Sequence, residues 1–560
     1  MNKKIVFLLF FLLITLIIPC VFAQKNTIKL LAINEATKEG TIVNLDLTIV
    51  EGSGKVFIET YPLSQIDMQI SLRIAKMIAC KTSGIYCLDK DFMYSIKADA
   101  PIIAGPSAGA AMTLLTMASL ENKKINSEII ITGTISSGGV IGSVGGLKEK
   151  ISAAANKSLK KVLIPKGELN ATKISEYRSE YNIDIVEMSN IEEAYKSLTD
   201  EDRNEKELSI DDEYLRIMKK LNEDICERTE TMKKEIEKYN LSGEKIGFAM
   251  NLSKESFELN EKGYYYSSAS RCFGANVYFR ELLLNAENIN ISKAEIEKKI
   301  EDVKKELYNL EIFLNNTEIN NLGDLEAVMI IRERIYDAKK NIENSTEISD
   351  LSYAIERVHS SNSWKKFLGF KGKQIDETKL KESCALKISE VNELYNYVAI
   401  YFPSLMIETK KELDSTKEYY DSGDYILCLF KSSKSEAEIN AALSMVYIED
   451  SHFKQLLQNK IIAAKKIIIN QIQKGNFPIL GYSYYEYATA LNDTGNYNSL
   501  LYAEYGIELS NLDIYFPLQK PFPVRINEKA LTTLILGFLI GFTLFMIRKQ
   551  YRRKRIVLRR

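Results

Sequence analysis

Apolar and polar positions largely alternate between residues 27 and 61, as in Thr41-Ile42-Val43-Asn44-Leu45-Asp46-Leu47-Thr48-Ile49-Val50. With β-branched side chains at many of these positions, the pattern predicts a strand meander, with Glu51-Gly52-Ser53-Gly54 as a turn. The period then changes. Ile66, Ile70, Ile74 and Ile78 recur every fourth position, which predicts a helix over 65–80. Residues 108–120 are small or apolar throughout and read as a buried helix. A strand over 129–134, a glycine-rich hairpin over 138–146, a helix carrying Lys150, strands over 161–165 and 183–187 and a helix over 190–198 complete an α/β pattern that closes near Asp200.

From residue 205 to about 516 the alternation disappears. Glu, Lys, Asn, Leu, Ile and Tyr dominate, with long 3.6-period stretches such as 291–314 and 376–394, so this part is all-helical. Three places have the pattern of a helical hairpin turning at Gly-x-Tyr: Gly263-Tyr264-Tyr265, Gly423-Asp424-Tyr425 and Gly495-Asn496-Tyr497. They resemble single tetratricopeptide hairpins, but their unequal separations exclude a regular solenoid. The only Trp, Trp364, sits among Phe and Lys residues in a glycine-broken stretch, 363–373, that reads as a loop with a buried Trp rather than a membrane-surface helix.

The two ends are apolar. Lys3 and Lys4 precede an apolar run and then Val21-Phe22-Ala23, which predicts a signal peptide over 1–23. Residues 530–547 form an uncharged run of 18, sufficient for a transmembrane helix, after a proline-stiffened linker over 517–529. Residues 548–560 carry Arg548, Lys549, Arg552, Arg553, Lys554, Arg555, Arg559 and Arg560 with no acid, so this basic tail is expected in the cytoplasm and everything from 24 to 529 outside it. Cysteine usage agrees with export. Besides Cys20 there are six, which allow 15 sets of three bridges or buried free thiols; the favoured set keeps each bridge inside one module and pairs Cys80 with Cys87, Cys226 with Cys272 and Cys384 with Cys428. A net charge of −1 on 27% charged residues argues against a general nucleic-acid binder. There is no CxxC or His-Cys cluster for a metal and no Walker motif for a nucleotide, so no cofactor is expected.

Candidate chemistry gathers between residues 104 and 150. Ser107, in Gly105-Pro106-Ser107-Ala108-Gly109, opens the buried helix, where the positive end of the helix dipole and backbone N–H groups can receive an oxyanion. A nucleophilic serine needs a base. The two histidines, His359 and His452, both lie in the distant helical part, so a lysine neutralised by burial is the better candidate. Lys150 stands 43 residues after Ser107, four positions into a helix that follows Gly145-Gly146.

The order of Gly105-Pro106-Ser107-Ala108-Gly109, then Thr132-Gly133, then Gly145-Gly146-Leu147-Lys148-Glu149-Lys150, with Lys161-Val162-Leu163-Ile164-Pro165 beyond, resembles the proteolytic domain of Lon-family peptidases over roughly residues 27–200. The resemblance implies Ser107 as nucleophile, Lys150 as general base and Thr132 hydrogen-bonded to that lysine. It also implies protein or peptide substrates and assembly as a homo-oligomeric ring. Two positions depart from the family pattern: the acid before the serine motif is Ala104, and the glutamate after Thr132-Gly133 is Thr134. Fewer carboxylates near the lysine favour its neutral form.

The expected architecture is thus an α/β Lon-type proteolytic domain over 24–200, an all-α helical-hairpin region over 201–516 and one C-terminal transmembrane helix. The expected function is a membrane-anchored, ATP-independent serine endopeptidase. The competing reading is a surface binding protein whose Lon-like domain is structural or only processes itself.

Overall fold

The alternating stretches form strands, but not the meander their order predicts. The computed structural model describes residues 25–34, 37–61, 66–97, 102–103, 106–142, 144–200, 207–239, 241, 243–287, 293–343, 347–401, 407–445, 453–492, 497–516 and 528–557. Strands β1 (Lys25–Asn34) and β2 (Gly40–Glu51) pair antiparallel. Beyond them β3 (Val56–Tyr61) gives up the place beside β2 to β4 (Lys90–Lys97), and β3 lies outside β4, parallel to it. The reason is the intervening helix α1 (Ile66–Ser83). Its apolar stripe must be buried on the sheet, and a helix between two strands makes a crossover that leaves them parallel. β4 went unread in the sequence.

β5 (Ile102–Ile103) pairs with the end of β1, and the sheet continues through three parallel strands, β6 (Ile129–Ile131), β9 (Lys161–Pro165) and β10 (Asp184–Met188). Successive side chains of a strand face opposite ways. Leu30 and Ile131 therefore join α1 and the wholly apolar α2 (Gly109–Leu120) in one core, while Leu31 and Ile130 join α3 (Leu147–Asn156) in another. The expected strand over 129–134 stops at Ile131. Residues 134–142 instead form a separate hairpin, β7 (Thr134–Ser136) and β8 (Val140–Gly142), earlier than the glycine-rich stretch indicates. Its turn, Ser137–Gly139, holds Gly138 and Gly139 at φ of 70° and 72°, a left-handed conformation that favours glycine. Helices α4 (Ala171–Tyr181) and α5 (Ile191–Thr199) complete this part.

The remainder of the described chain is helical, as its periodicity requires: α6 (Asp212–Glu237), α7 (Glu244–Glu261), α8 (Tyr265–Glu287), α9 (Lys293–Asn315), α10 (Leu322–Glu343), α11 (Ile348–Trp364), α12 (Leu380–Tyr401), α13 (Ile407–Ser422), α14 (Tyr425–Met445), α15 (Phe453–Gln473), α16 (Ile479–Ala490), α17 (Tyr497–Ser510) and α18 (Glu528–Val557). Gly263 and Gly423 take φ of 78° and 87° where α7 and α13 end, so both Gly-x-Tyr patterns terminate a helix. Gly495 lies outside the described residues. Trp364 is buried at the end of α11, its ring tilted against Phe367 and the Arg334 guanidinium 5.2 Å from its ring centroid.

Packing divides the chain into two compact units, one up to Phe516 and one from Pro517 to Arg560. The expected division near residue 200 is therefore not a break in packing, because buried ion pairs cross it. Lys81 of α1 reaches Glu436 of α14 at 2.7 Å and Glu508 of α17 at 3.1 Å. The second unit contains α18, which is helical across 530–547. Among the described residues no helix is long and apolar enough to cross a membrane. The expected signal peptide, most of the linker and the side chains of 530–535 lie outside the described residues.

The disulfides are Cys80–Cys87, Cys226–Cys272 and Cys384–Cys428, the sequential set. Cys226–Cys272 ties α6 to α8 and Cys384–Cys428 ties α12 to α14, closing loops of 46 and 44 residues. Loops of that length give each bridge about 4 kcal/mol in the chain-entropy account. Unfolding in denaturant with and without a reductant is expected to show a loss of that order per bridge, and a loss below about 1 kcal/mol would show that helix packing alone holds these pairs.

Candidate active site

A proline followed by small residues places Ser107 in a short 3-10 turn, Pro106–Ala108, that runs straight into α2. Ser107 is half-buried. Its carbonyl accepts the Gly133 N–H at 2.9 Å and the Thr132 hydroxyl at 3.3 Å, while the Gly133 carbonyl accepts the Ala110 N–H at 3.0 Å. The Thr132 N–H in turn donates to Leu163 of β9 at 3.1 Å. The start of α2 is thus fastened to the open end of β6, where parallel strands leave their carboxyl ends free for a site.

Lys150 arrives from the other face of the sheet. Gly146, at φ 65°, lets the chain turn into α3, and the Lys150 N–H closes that first turn on the Gly146 carbonyl at 3.1 Å. Leu147, Ile151 and Ala154 form the buried stripe of α3, and Lys150 falls on the same side, 3% exposed. Burial among apolar groups pushes its ammonium down from 10.5 to about 8, with Glu168 opposing weakly as a nearby negative charge. Among the described residues the Lys150 amine has no hydrogen-bond partner, so no hydrogen bond offsets the burial of its charged form.

The structure therefore joins Ser107 to Thr132 directly, while Lys150 comes from α3 on the opposite face of the sheet, without a hydrogen bond to either among the described residues. The threonine–lysine hydrogen bond implied by the resemblance is not formed among the described residues; the Thr132 hydroxyl donates to the Ser107 carbonyl. Thr132 is 1% exposed and carries no charge, so it positions the serine-bearing turn. The sequence did not reveal three further participants. Gly133 fastens the turn with both its N–H and its carbonyl. Glu168, in the loop after β9, acts on Lys150 across space. Ile135 of β7 lies so close over Gly109, two residues past Ser107, that a Cβ there would meet its Cγ2 at 2.7 Å. Of these only Gly133 had a local signal, its place in the Thr132-Gly133 pair.

A cavity of about 640 Å³ lies apart from Ser107 and Lys150, between the end of α1, the Ser137–Gly138 turn and α15. Its lining mixes amides such as Gln455, Asn459 and Asn470 with charged and apolar side chains.

Residues 26–200 match the family model of the Lon protease (S16) C-terminal proteolytic domain. The similar curated proteins include Lon protease of Buchnera aphidicola subsp. Acyrthosiphon pisum, 36% identical over 132 residues, which is 22% of this chain and 17% of that protein. They also include Lon protease of Fervidobacterium nodosum, 33% identical over 169 residues, 29% of this chain and 20% of that protein. Lon protease of Lachnoclostridium phytofermentans is 27% identical over 163 residues, 28% of this chain and 20% of that protein. The chain thus spans about a fifth of the length of these relatives. Its α/β part is a Lon-family peptidase domain, a serine-peptidase type, while the helical part lies outside the residues that the family model matches.

Proposed function

We propose that this chain is an ATP-independent serine endopeptidase in which Ser107 and Lys150 form a catalytic dyad. The Ser107 Oγ attacks the carbonyl carbon of a peptide bond while the neutral Lys150 amine takes its proton. The ammonium then returns that proton to the departing amine, and water releases the acyl group from Ser107 by the same route. Backbone N–H groups at the start of α2 face the developing oxyanion, and Thr132 and Gly133 hold the serine-bearing turn through the Ser107 carbonyl. The observation that carries this reading is the burial of Lys150 without a hydrogen bond or salt bridge among the described residues, with only Glu168 as a nearby negative charge, since a lysine kept for structure is normally directly paired.

The rest of the reading rests on sequence. The uncharged run 530–547 followed by eight basic residues supports a single membrane anchor with the tail in the cytoplasm and the peptidase outside it. Extraction of the chain from membranes by detergent but not by high salt, with 24–529 open to added protease in intact cells, is the expected behaviour. Substrates are unfolded or exposed protein segments, because the chain carries no Walker motif to power unfolding. Assembly into a ring follows from the family resemblance and is read by sedimentation of the purified chain.

The test of the dyad is labelling by a serine-directed active-site probe across pH. A base must be neutral, so labelling and cleavage are expected to rise as pH passes about 8 and to level off above it. Glu168 favours the ammonium form, so Glu168→Gln is expected to move that rise to lower pH. A wild-type protein that stays unlabelled at every pH, with its disulfides intact, overturns the peptidase reading in favour of a binding protein.

A further inference from the structure

One of the places where the helical part grips the peptidase domain is the hairpin turn Ser137–Gly139. Lys460 of α15 and Glu504 of α17 form an ion pair at 2.7 Å with both side chains fully buried. The pair closes around the hairpin turn. The Lys460 amine donates to the Ser137 hydroxyl at 2.9 Å, the Ser136 hydroxyl at 3.0 Å and the Ser137 carbonyl at 3.1 Å, and the Ser137 hydroxyl donates to Glu504. Apolar packing follows the same line. Val140 of β8 joins Ala463, Ala464 and Ile507 in one buried cluster, and a Cβ on Gly138 would meet Ala463 at 2.9 Å.

This hairpin is the segment between the two candidate catalytic groups. It begins directly after Thr132-Gly133, which fasten Ser107, and it ends a few residues before Gly146, which starts the Lys150 helix. Its two isoleucines press on the serine side: Ile135 on Gly109, and Ile141 against Gly133, where a Cβ would meet it at 2.5 Å. A displaced hairpin therefore moves the Ser107 turn and the α3 start relative to one another. A shift of about 1 Å in reacting groups is enough to cost roughly a hundredfold in rate.

We propose that Lys460 and Glu504 are positioning residues, by which the helical part holds the 134–142 hairpin and with it sets the register of Ser107 against Lys150. The proposal rests on the peptidase reading of the same site. It also gives the helical part a role in the reaction that no motif in its sequence announces. A buried ion pair is a costly way to dock two surfaces and is often replaceable by apolar side chains without loss of stability, so its chemistry must be judged by function.

The experiment compares the full-length wild type with Lys460→Met/Glu504→Met, which removes both charges together, and with Ser136→Ala/Ser137→Ala, which leaves the ion pair intact and removes only the hairpin's hydroxyls. Four quantities are read: kcat and KM for an unfolded protein substrate, the pH midpoint of probe labelling, and backbone amide exchange over 132–146. Both variants are expected to fold with disulfides intact, to lose at least tenfold in kcat with KM within twofold, to label with a midpoint shifted upward as water reaches Lys150, and to exchange faster over 132–146 than over β1 and α2. The serine variant keeps the test alive if the methionine variant fails to fold. A serine variant with wild-type kcat, midpoint and exchange overturns the proposal, as does a uniform rise in exchange over the whole domain, which marks a merely structural contact. A wild type inert to probe and substrate sinks the peptidase reading, and normal hairpin exchange in the variants then removes the clamp as well.

Discussion

Replacing Ser107 by alanine is expected to reduce cleavage of an unfolded protein by at least about a thousandfold, and Lys150→Met is expected to do the same, because the two groups act as one unit and losing either forfeits the pathway. Lys150→Arg fails as well, since a guanidinium keeps its proton at any working pH. The lysine variant carries a second signature. With its folded pKa at about 8 against 10.5 in the unfolded chain, Lys150 binds fewer protons when folded, so between those values native stability rises with pH, and below about 8 the protein bears the full cost of the buried ammonium. A difference of that size corresponds to about 3 kcal/mol at pH 7. Lys150→Met should therefore be inactive and more stable than wild type at pH 7, with the gap closing towards pH 10.5. Denaturant unfolding at pH 7 and at pH 10 measures it. An inactive variant that is also less stable would mean that Lys150 supports the fold rather than the chemistry.

Lys387→Ala is expected to cost about 3–5 kcal/mol in the same measurement, as removal of one partner from a buried ion pair generally does. The Lys387 amine sits 1% exposed, bonded to Glu436, 3.3 Å from Glu508 and 3.1 Å from the Tyr515 hydroxyl. Burial works against its charge, but the facing Glu436 and Glu390 hold it well above the usual lysine value. Lys81 enters the same cluster from α1 of the peptidase domain, so the group joins the two parts of the unit. Losing Lys387 leaves Glu436 and Glu508 sharing Lys81 alone. Lys387→Met combined with Glu436→Leu should recover most of the loss, because an apolar pair leaves no unpaired charge. A single variant within about 1 kcal/mol of wild type would show that water already screens the cluster.

Much of this was readable in the chain itself. Alternation announced β1 and β2, the small apolar run announced α2, and the glycine pair before Leu147 announced α3 with Lys150 in its first turn. These are local facts. Each depends on which neighbours in sequence share a face, and a period of two or of 3.6 encodes that directly. The sequential disulfides were legible for a similar reason, each bridge joining cysteines of neighbouring elements.

What stayed hidden depends on partners distant in sequence. β4 displaced β3 because strand order is set by where α1 can be buried, and no periodicity records that. The strand after Ile129 broke at Thr132 because residues 134–142 are drawn to α15 and α17, more than 300 residues further on. Nothing in the sequence marks Lys460, Glu504, Lys387 and Glu436 as buried, since a charge on a helix has the same pattern whether water or an opposite charge awaits it. The sequence by itself determined the peptidase motifs, the elements that bear them and the helical character of the rest. Only the tertiary structure decided that Thr132 bonds the Ser107 carbonyl, that Lys150 is buried with no hydrogen bond among the described residues, and that the helices close on the hairpin between them. Those outcomes turn on burial and on charge pairing in three dimensions, which a linear pattern does not carry.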